Sequence, residues 1–424
     1  MSLTVHRHWD DPLVDVREFK GGREDVTASH EMLDFIGGGG PTHAGVMLSP
    51  ETALRQSTVL ACVTINSSVI AGLPAYAFRH EGAQTIDVTD DPGVALLNGD
   101  FHSELSSVDG RRMLQAHQEM RGFGIAYIER LNSGDAAALY PIPASAVTID
   151  RKNGRRRYKV TLTGGGSETL FEEEVFVVPA MTVDGLVGLS PIEQCRQAVG
   201  LALAAEEFGA RFFGNGASMH GALETDAKMD KLTRDRLTAD FNARHKGLRN
   251  AHLVGVFADG LKYRSIGIDP EQAQFLETRA FQVADICRMF GVPSFLVNDS
   301  EKSTAWGSGI AQIFLAWKQV SLAPRANVWQ AEARRKLVRE RDRGRVNYKL
   351  DFDEFLRADQ LTRYKAHQIG ILTGFINRNE ARAEEHRNPA TGLDEFLTPQ
   401  NMRLTDEPAA PGTPDQIVNG GGQA

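Results

Sequence analysis

Val183-Asp184-Gly185-Leu186-Val187-Gly188-Leu189-Ser190-Pro191-Ile192-Glu193 joins a glycine-jointed loop to a sharply marked helix start. Ser190 is placed to cap, Pro191 suits a first turn whose N–H has no intrahelical partner, and Glu193 completes a capping box. Apolar residues follow at helical spacing through Ala198, Leu201, Ala205, Phe208 and Phe212, until Gly214-Asn215-Gly216 supplies left-handed residues that end the run. The spacing predicts one long rod over residues 191–213. A second rod of the same design starts at Asp269-Pro270-Glu271-Gln272, continues along Leu276, Ala280, Val283, Cys287 and Phe290, and stops at Gly291-Val292-Pro293. Two rods frame one insert.

The order of these pieces resembles the portal proteins of tailed double-stranded-DNA phages. The likeness is carried by Asp184 to Ile192, by Phe213-Gly214-Asn215-Gly216-Ala217, by Asp269 to Glu277 and by Phe290-Gly291-Val292-Pro293. Leu322-Ala323-Pro324, Leu356-Arg357-Ala358-Asp359, and Gly370-Ile371-Leu372-Thr373-Gly374 leading to Asn379-Glu380-Ala381-Arg382 continue it, over residues 48–400. Each piece is a helix boundary and none is a catalytic signature, so the specificity lies in the combination.

The resemblance implies an α+β, portal-like fold. It would have a flexible arm (1–47), a mixed α/β wing (48–189), a stem helix (190–216), a small α/β clip (217–268) and a second stem helix (269–292). A tunnel loop (293–309), a long kinked helix returning to the wing (310–350), a helical crown (351–405) and a disordered tail (406–424) would follow. It implies a non-enzymatic ring, dodecameric in the particle, at one capsid vertex of the virion. Such a ring is the channel for genome packaging and ejection. The partners implied are other copies of the chain, the terminase large subunit, the major capsid protein and scaffold, the head-tail adaptor, and double-stranded DNA passing non-specifically. The protein would be made in the host bacterial cytoplasm, including from a prophage. The tunnel loop would bring Asp299, Ser300, Glu301, Lys302, Ser303, Thr304 and Trp306 near DNA. The charged helix expected over 228–246 would offer Lys228, Lys231, Arg234, Arg236, Arg244, His245 and Lys246 to motor or adaptor. Its alternative is a solvated αββ excursion, with strand-like runs at Leu253 to Phe257 and Lys262 to Ile266. The family often has a Ser-Asn step in the loop, where this chain has Gly307-Ser308. Trp306 serves equally as a core aromatic pinning the loop.

Composition bounds the remaining readings. With 424 residues and 42% apolar content, the chain is long enough for two or three domains. Cys62, Cys195 and Cys287 are odd in number, far apart in sequence and set among apolar neighbours, which argues for buried thiols and against a disulfide framework or zinc site. No charged segment precedes an apolar core at the N-terminus, so no secretory signal is expected. Residues 56–78 carry no charge, but Asn66, Ser67 and Ser68 interrupt the run and Gly72-Leu73-Pro74 breaks it. Leu54, Ala61, Cys62, Ile65 and Val69 make a one-sided stripe, so a helix from Ser49-Pro50 to Ala71 reads as buried and not as a membrane span. A helix near 111–121 follows. Ile125 to Leu131, Ala138 to Pro141, Ala146 to Asp150, Arg157 to Leu162 and Val175 to Val178 then read as strands of an antiparallel sheet.

Beyond the polar, glycine-ended segment 298–309, Ile310 to Arg339 reads as a helix of about 45 Å at 1.5 Å per residue. Its stripe is Ile310, Ile313, Phe314, Trp317 and Val320, and Pro324 should kink it. Short helices are expected from Phe352 to Arg387, with Asn377 and Glu380 as another capping box.

A search for catalytic chemistry finds no phosphate-binding loop, no His-Glu-x-x-His and no Gly-x-Ser-x-Gly, and Gly122-Phe123-Gly124 is too short for a dinucleotide fingerprint. No cofactor or metal is implied. The acidic cluster Asp351, Asp353, Glu354 and Asp359 keeps open a metal-dependent nuclease, although Asp353 and Glu354 also suit a helix first turn. A monomeric capsid scaffold or adaptor is the other alternative. Arg155-Arg156-Arg157 is a basic knot at a hairpin, where a solvated turn is the plain reading. The formal net charge of −8 fits a conduit that avoids adhering to phosphate better than a clamp that neutralises it. Ala198, Ala202, Ala204, Ala205 and Gly209 permit close helix approach, within one chain or between copies in a cyclic assembly.

Overall fold

The computed structural model describes residues 40–82, 84–162, 165–214, 221–224, 230–233, 235–236, 262–265, 272–297, 308–352, 355 and 360–397. It divides into two units, residues 1–352 and 353–424.

The first unit opens with a small hairpin, β1 (Gly40–Pro41) against β2 (Met47–Leu48). Sequence reading assigns residues 40–47 to the arm, yet they are built into the fold. The His43 N–H donates to Gln197 Oε1 at 2.8 Å, and Thr42 fills the space that a side chain on Gly200 would need.

Ser49 and Thr52 form a reciprocal capping box on α1 (Pro50–Ala53), but the helix expected to reach Ala71 stops there. The N–H groups of Leu54, Arg55 and Gln56 bond three residues back, which tightens and ends the helix. Gln56 then caps α2 (Ser57–Gly72), its Oε1 accepting from the Val59 N–H at 2.9 Å. The buried face of α2 is Val59, Cys62, Val63, Asn66, Ser67 and Ile70, rotated from the expected stripe. Asn66 and Ser67 can be buried because each has a donor group satisfied: Asn66 Nδ2 donates to the Phe290 carbonyl at 3.0 Å, although its Oδ1 has no partner among the described residues, and Ser67 Oγ donates to the Thr64 carbonyl at 3.2 Å. Among the described residues, no helix is long and apolar enough to cross a membrane.

Strands β3 (Ala75–Glu81) and β4 (Gln84–Asp87) pair antiparallel, and α3 (Pro92–Asn98) follows, capped by Asp91. After the short pair β5 (Asp100–His102) and β6 (Leu105–Ser106) comes α4 (Ser107–Arg121). It starts four residues before the expected position because Ser106 Oγ accepts from the Asp109 N–H, and it ends at Gly122 in the left-handed region, φ 85°. Arg111 is buried on α4 and donates to the carbonyls of Ile70, at 2.6 Å, and Leu73, at 2.7 Å. Both lie at the C-terminal end of α2, where the last carbonyls lack a full set of intrahelical donors and a cation is favoured. Burial pushes the Arg111 guanidinium down to about 10, still charged at neutral pH.

The single antiparallel sheet expected next is two sheets of three strands. Strands β7 (Phe123–Arg130) and β8 (Ala136–Ile142) form one with β12; β9 (Val147–Lys152), β10 (Arg155–Thr161) and β11 (Ser167–Phe171) form the other. Strand β12 (Val175–Pro179) pairs with β7. Phe123, Ile125, Ile142, Tyr158, Val160, Leu170, Val175 and Val177 bury a common core between them. Strand β11 escapes sequence reading because Ser167-Glu168-Thr169 looks like loop, and only Leu170 in it is buried.

The stretch that marks the first rod gives two helices, α5 (Pro191–Gln194) and α6 (Arg196–Gly214), broken at Cys195. Strands β13 (Gly221–Glu224) and β14 (Lys262–Ser265) pair antiparallel, so the second strand-like run of the insert finds a partner that sequence reading passed over. Helix α7 (Gln272–Phe290) ends at Gly291, φ 65°. After a short turn at Ser294–Val297 come α8 (Ser308–Trp317), a five-residue π segment (Lys318–Leu322) and α9 (Ala323–Lys336). The π segment answers Pro324: the wider winding changes the hydrogen-bond ladder where the proline has no donor to offer. Trp317 is buried as expected, but Val320 is 79% exposed because the π turn rotates it off the stripe. Strand β15 (Val346–Leu350) returns to pair with β3.

The second unit holds α10 (Gln360–Leu372) and α11 (Arg378–Glu384). Asn377 and Glu380 make the expected reciprocal capping box. Arg363 grips Glu385 with two bonds, 2.8 and 2.9 Å, and His367 Nε2 lies 3.0 Å from Glu385 Oε1.

Candidate functional site

The two rods meet in one core. Ile192, Val199 and Ala202 of the first pack with Ile286, Cys287 and Phe290 of the second, and Leu48, Val59, Cys62, Val63 and Met120 complete the cluster. Of the small residues on α6, Ala202 and Gly209 are buried, whereas Ala198, Ala204 and Ala205 are only partly covered. The stripe read from the sequence faces differently: Leu201 and Phe208 are about half exposed, at 51% and 54%, and Phe281 on α7 is exposed too. Helical spacing identifies an apolar face but not what covers it. Cys62 and Cys287, remote in sequence, are buried side by side with sulfurs 3.9 Å apart, and both are free thiols. The hydrogen bond between them, together with burial, pushes the Cys62 thiol up. Cys195 is only partly buried.

The loop leading into the first rod is held by backbone geometry. Asp184 Oδ1 accepts from the N–H groups of Leu186, at 2.7 Å, and Val187, at 3.0 Å, and from Thr182 Oγ1, at 2.9 Å. Those bonds hold its carboxyl down to about 2. Gly188 and Gly122 approach so closely that a Cβ on Gly188 would sit 2.0 Å from the Gly122 carbonyl oxygen. Ser190 caps α5 by accepting from the Glu193 N–H at 3.2 Å, and its hydroxyl donates to the Met120 carbonyl. The loop is thereby tied to the end of α4.

The exit of the second rod is clamped from the far side of the following loop. Arg325 on α9 binds Glu119 of α4 with Nε and Nη2, donates through Nη2 to the Phe290 carbonyl at 2.9 Å, and reaches Ser321 through Nη1. Glu119 is almost wholly buried, and Gln115 links it to the Trp329 indole: Gln115 Nε2 donates to Glu119 Oε1 at 2.8 Å while Trp329 Nε1–H donates to Gln115 Oε1 at 2.8 Å. Phe295 before the loop meets Phe314 after it edge to face, ring centres 5.6 Å apart. One guanidinium thus joins the end of α7 to α4 and to the helix that leaves the loop. Arg325, Glu119 and Asn66 were missed in the sequence because their partners lie 35 to 224 residues away; the one available signal was Pro324-Arg325 inside a helical run.

Of the residues assigned to the loop, Asp299, Ser300, Glu301, Lys302, Ser303, Thr304 and Trp306 lie outside the described residues. So do Lys228, Arg234, Arg244, His245 and Lys246 of the insert, while Lys231 and Arg236 are exposed on short helical stretches. Asp353, Glu354 and Asp359 of the acidic cluster are also outside, and Asp351 pairs with Lys349 at 3.0 Å. Among the described residues, no group of three or more His, Cys, Asp or Glu side chains is placed to hold a metal ion.

Comparison with known proteins agrees with this architecture. Residues 57–386 match the family model described as phage portal protein. A probable portal protein of Streptomyces phage phiC31 is 30% identical over 380 residues, covering 87% of this chain and 83% of that protein. The portal protein of Enterobacteria phage HK97 is 28% identical over 364 residues, covering 85% of each. Among solved structures, the neck of an empty gene transfer agent particle, computed with C6 symmetry, shares the fold with a TM-score of 0.57 and 18% identity, over 86% of this chain and 100% of the other.

Proposed function

The chain belongs to the phage portal protein family, and from that premise we propose that it assembles as a closed ring at one vertex of the capsid. The ring is the channel through which double-stranded DNA is packaged and later ejected, and it is a docking site for the terminase large subunit and then for the head-tail adaptor. The protein does no chemistry of its own: the motor supplies hydrolysis, and the ring supplies a passage and a symmetric surface. The ring is a dodecamer in the particle, set into the major capsid protein.

The observation that carries this reading is the family match across both rods, the insert and the returning strand. The C6 symmetry under which the gene transfer agent neck was computed supports a cyclic arrangement of like subunits. The exposed Leu201 and Phe281 support it from the physical side, since apolar residues more than half open to solvent on paired rods suit a neighbouring copy. The clamp at Arg325 suits a loop that must keep its base rigid beside moving DNA. In this reading the wing spans 48–189, the stem helices 190–216 and 269–292, the clip 217–268 and the crown 351–405. Asp299 to Thr304 and Trp306 face the channel, while Lys228, Lys231, Arg234, Arg236, Arg244, His245 and Lys246 meet the motor or adaptor.

Negative-stain imaging and solution mass of the purified full chain, with and without capsid protein, test the assembly. Rings with a central bore are expected. A strictly monomeric protein that never enters capsids would overturn the proposal and favour an adaptor, and plasmid cleavage dependent on magnesium or manganese would favour a nuclease. Deleting residues 300–308 should leave rings intact and reduce DNA retention or packaging.

A further inference from the structure

The basic knot Arg155-Arg156-Arg157 has no part in the channel reading, and the fold divides it. Arg157 is taken by Asp150, which it binds at 2.8 and 2.6 Å. Arg155 and Arg156 instead border an open cavity of about 360 Å³, lined also by Arg151, Arg335, Glu172 and Glu173. Four guanidiniums face two carboxylates there, in a chain whose net charge is −8.

The strand register makes this concentration of charge costly. Around the Asn153–Gly154 turn, Arg156 stands directly opposite Arg151, and Arg155 directly opposite Lys152. Like charges at opposed positions of an antiparallel pair destabilise it. The nearby carboxylates offset only part of this. Glu172 is shared: it accepts from Tyr158 Oη at 2.7 Å, lies 3.2 Å from Lys336 Nζ and 3.8 Å from Arg156, and also pairs with Arg335. Glu173 pairs with Arg155 at 3.1 Å, but both side chains are well exposed and such a pair contributes little. Arg335 lies 3.4 Å from Glu332 as well, whose carboxyl burial raises to about 7, so that partner is only partly charged near neutrality. The Arg151 side chain is exposed at the cavity and makes no ion pair among the described residues.

We propose that this cavity is a binding site for a phosphate oxyanion, free or carried on a nucleic-acid backbone, which bridges Arg151, Arg155 and Arg156 of the hairpin and reaches Arg335 on α9. The chemistry favours phosphate over a carboxylate. Guanidinium-bearing residues of two separate elements line the one cavity, and a tetrahedral group with several acceptor oxygens serves more than one planar fork at once. A carboxylate has two coplanar oxygens and fills a single fork. The bound anion would also relieve the opposed Arg151–Arg156 pair, so binding should stabilise the hairpin.

The test is isothermal titration of the full-length protein with inorganic phosphate at low, fixed chloride, supported by melting with and without phosphate. Saturable binding is expected. R151Q combined with R155Q should weaken it about tenfold or more, while R112Q, a comparably exposed arginine on α4, should change it less than about twofold. E173Q frees Arg155 and should tighten binding, a gain that misfolding cannot imitate. In phosphate-free buffer the double variant should melt no lower than the parent, because it removes like-charge opposition. A short DNA duplex that displaces the phosphate identifies a nucleic-acid source; phosphate binding that the duplex leaves untouched identifies the free ion, and either supports the site. No saturable phosphate binding, or an equal loss in R112Q, overturns it.

Discussion

Arg325→Met keeps an aliphatic stem and removes the guanidinium that joins Glu119 to the end of α7. In the parent, Glu119 is only 2% exposed and its charge is answered by Arg325 through two bonds. Without the arginine, Gln115 remains as a donor but no cation does. Breaking a buried ion pair from one side costs about 3–5 kcal/mol, chiefly because the surviving charge is stranded away from water. The Phe290 carbonyl loses one of its two side-chain donors and keeps Asn66, a smaller loss of about 1 kcal/mol. The whole effect should therefore fall at about 4–6 kcal/mol, most of it assigned to Glu119. Urea unfolding followed by tryptophan fluorescence suits the measurement, since Trp329 is two hydrogen bonds from Glu119, the group left stranded. The decisive comparison is R325M against E119Q/R325M. Neutralising the stranded carboxylate should recover roughly 1–2 kcal/mol or more. If R325M costs less than about 1 kcal/mol, or the double variant is as unstable as the single one, the clamp is not what holds these helices together.

Gly188→Ala places a methyl group 2.0 Å from the Gly122 carbonyl oxygen, a backbone atom that cannot rotate away. It should cost about 1–3 kcal/mol or more by melting, whereas Gly185→Ala, with open space around it, should show only the strain of its φ of 68°. In the second unit, Arg363 first and His367 next hold the Glu385 carboxyl at about 2, below its ordinary 4.5. A folded pKa lower than the unfolded one means stability that is present above pH 4.5 and lost as pH falls toward 2. Circular dichroism titrated from pH 5 to 2 should show E385Q less acid-sensitive than the parent in that window. Leu201→Asp with Phe281→Asp alters positions more than half open to solvent, so the monomer should melt within a few degrees of the parent while sedimentation shows that rings no longer form.

Much of the candidate site was legible where its causes are local. The cap at Ser190, the capping box at Asn377 and Glu380, the stop at Gly291 and the rod from Gln272 to Phe290 depend on residues within one turn of each other. Readings failed where a distant contact outweighed a local pattern. Asn66 and Ser67 looked like polar interruptions, but α7 supplies a carbonyl for Asn66 from 224 residues away. The π segment turned Val320 outward although its spacing fitted the stripe. The arm lost residues 40–47 to a hairpin that docks on α6.

Periodicity, capping and glycine punctuation are properties of neighbouring residues, so the chain carries its rods, its turns and its family likeness in the order of its amino acids. Which face of each rod is covered, how Glu119, Arg325 and Phe290 are brought together, and how Arg335 comes to line one cavity with the Arg151–Arg156 hairpin depend on packing across long stretches of chain. Charge repulsion and buried hydrogen bonds act over ångströms of space, not positions along the chain. They take effect only once the backbone has folded those residues side by side.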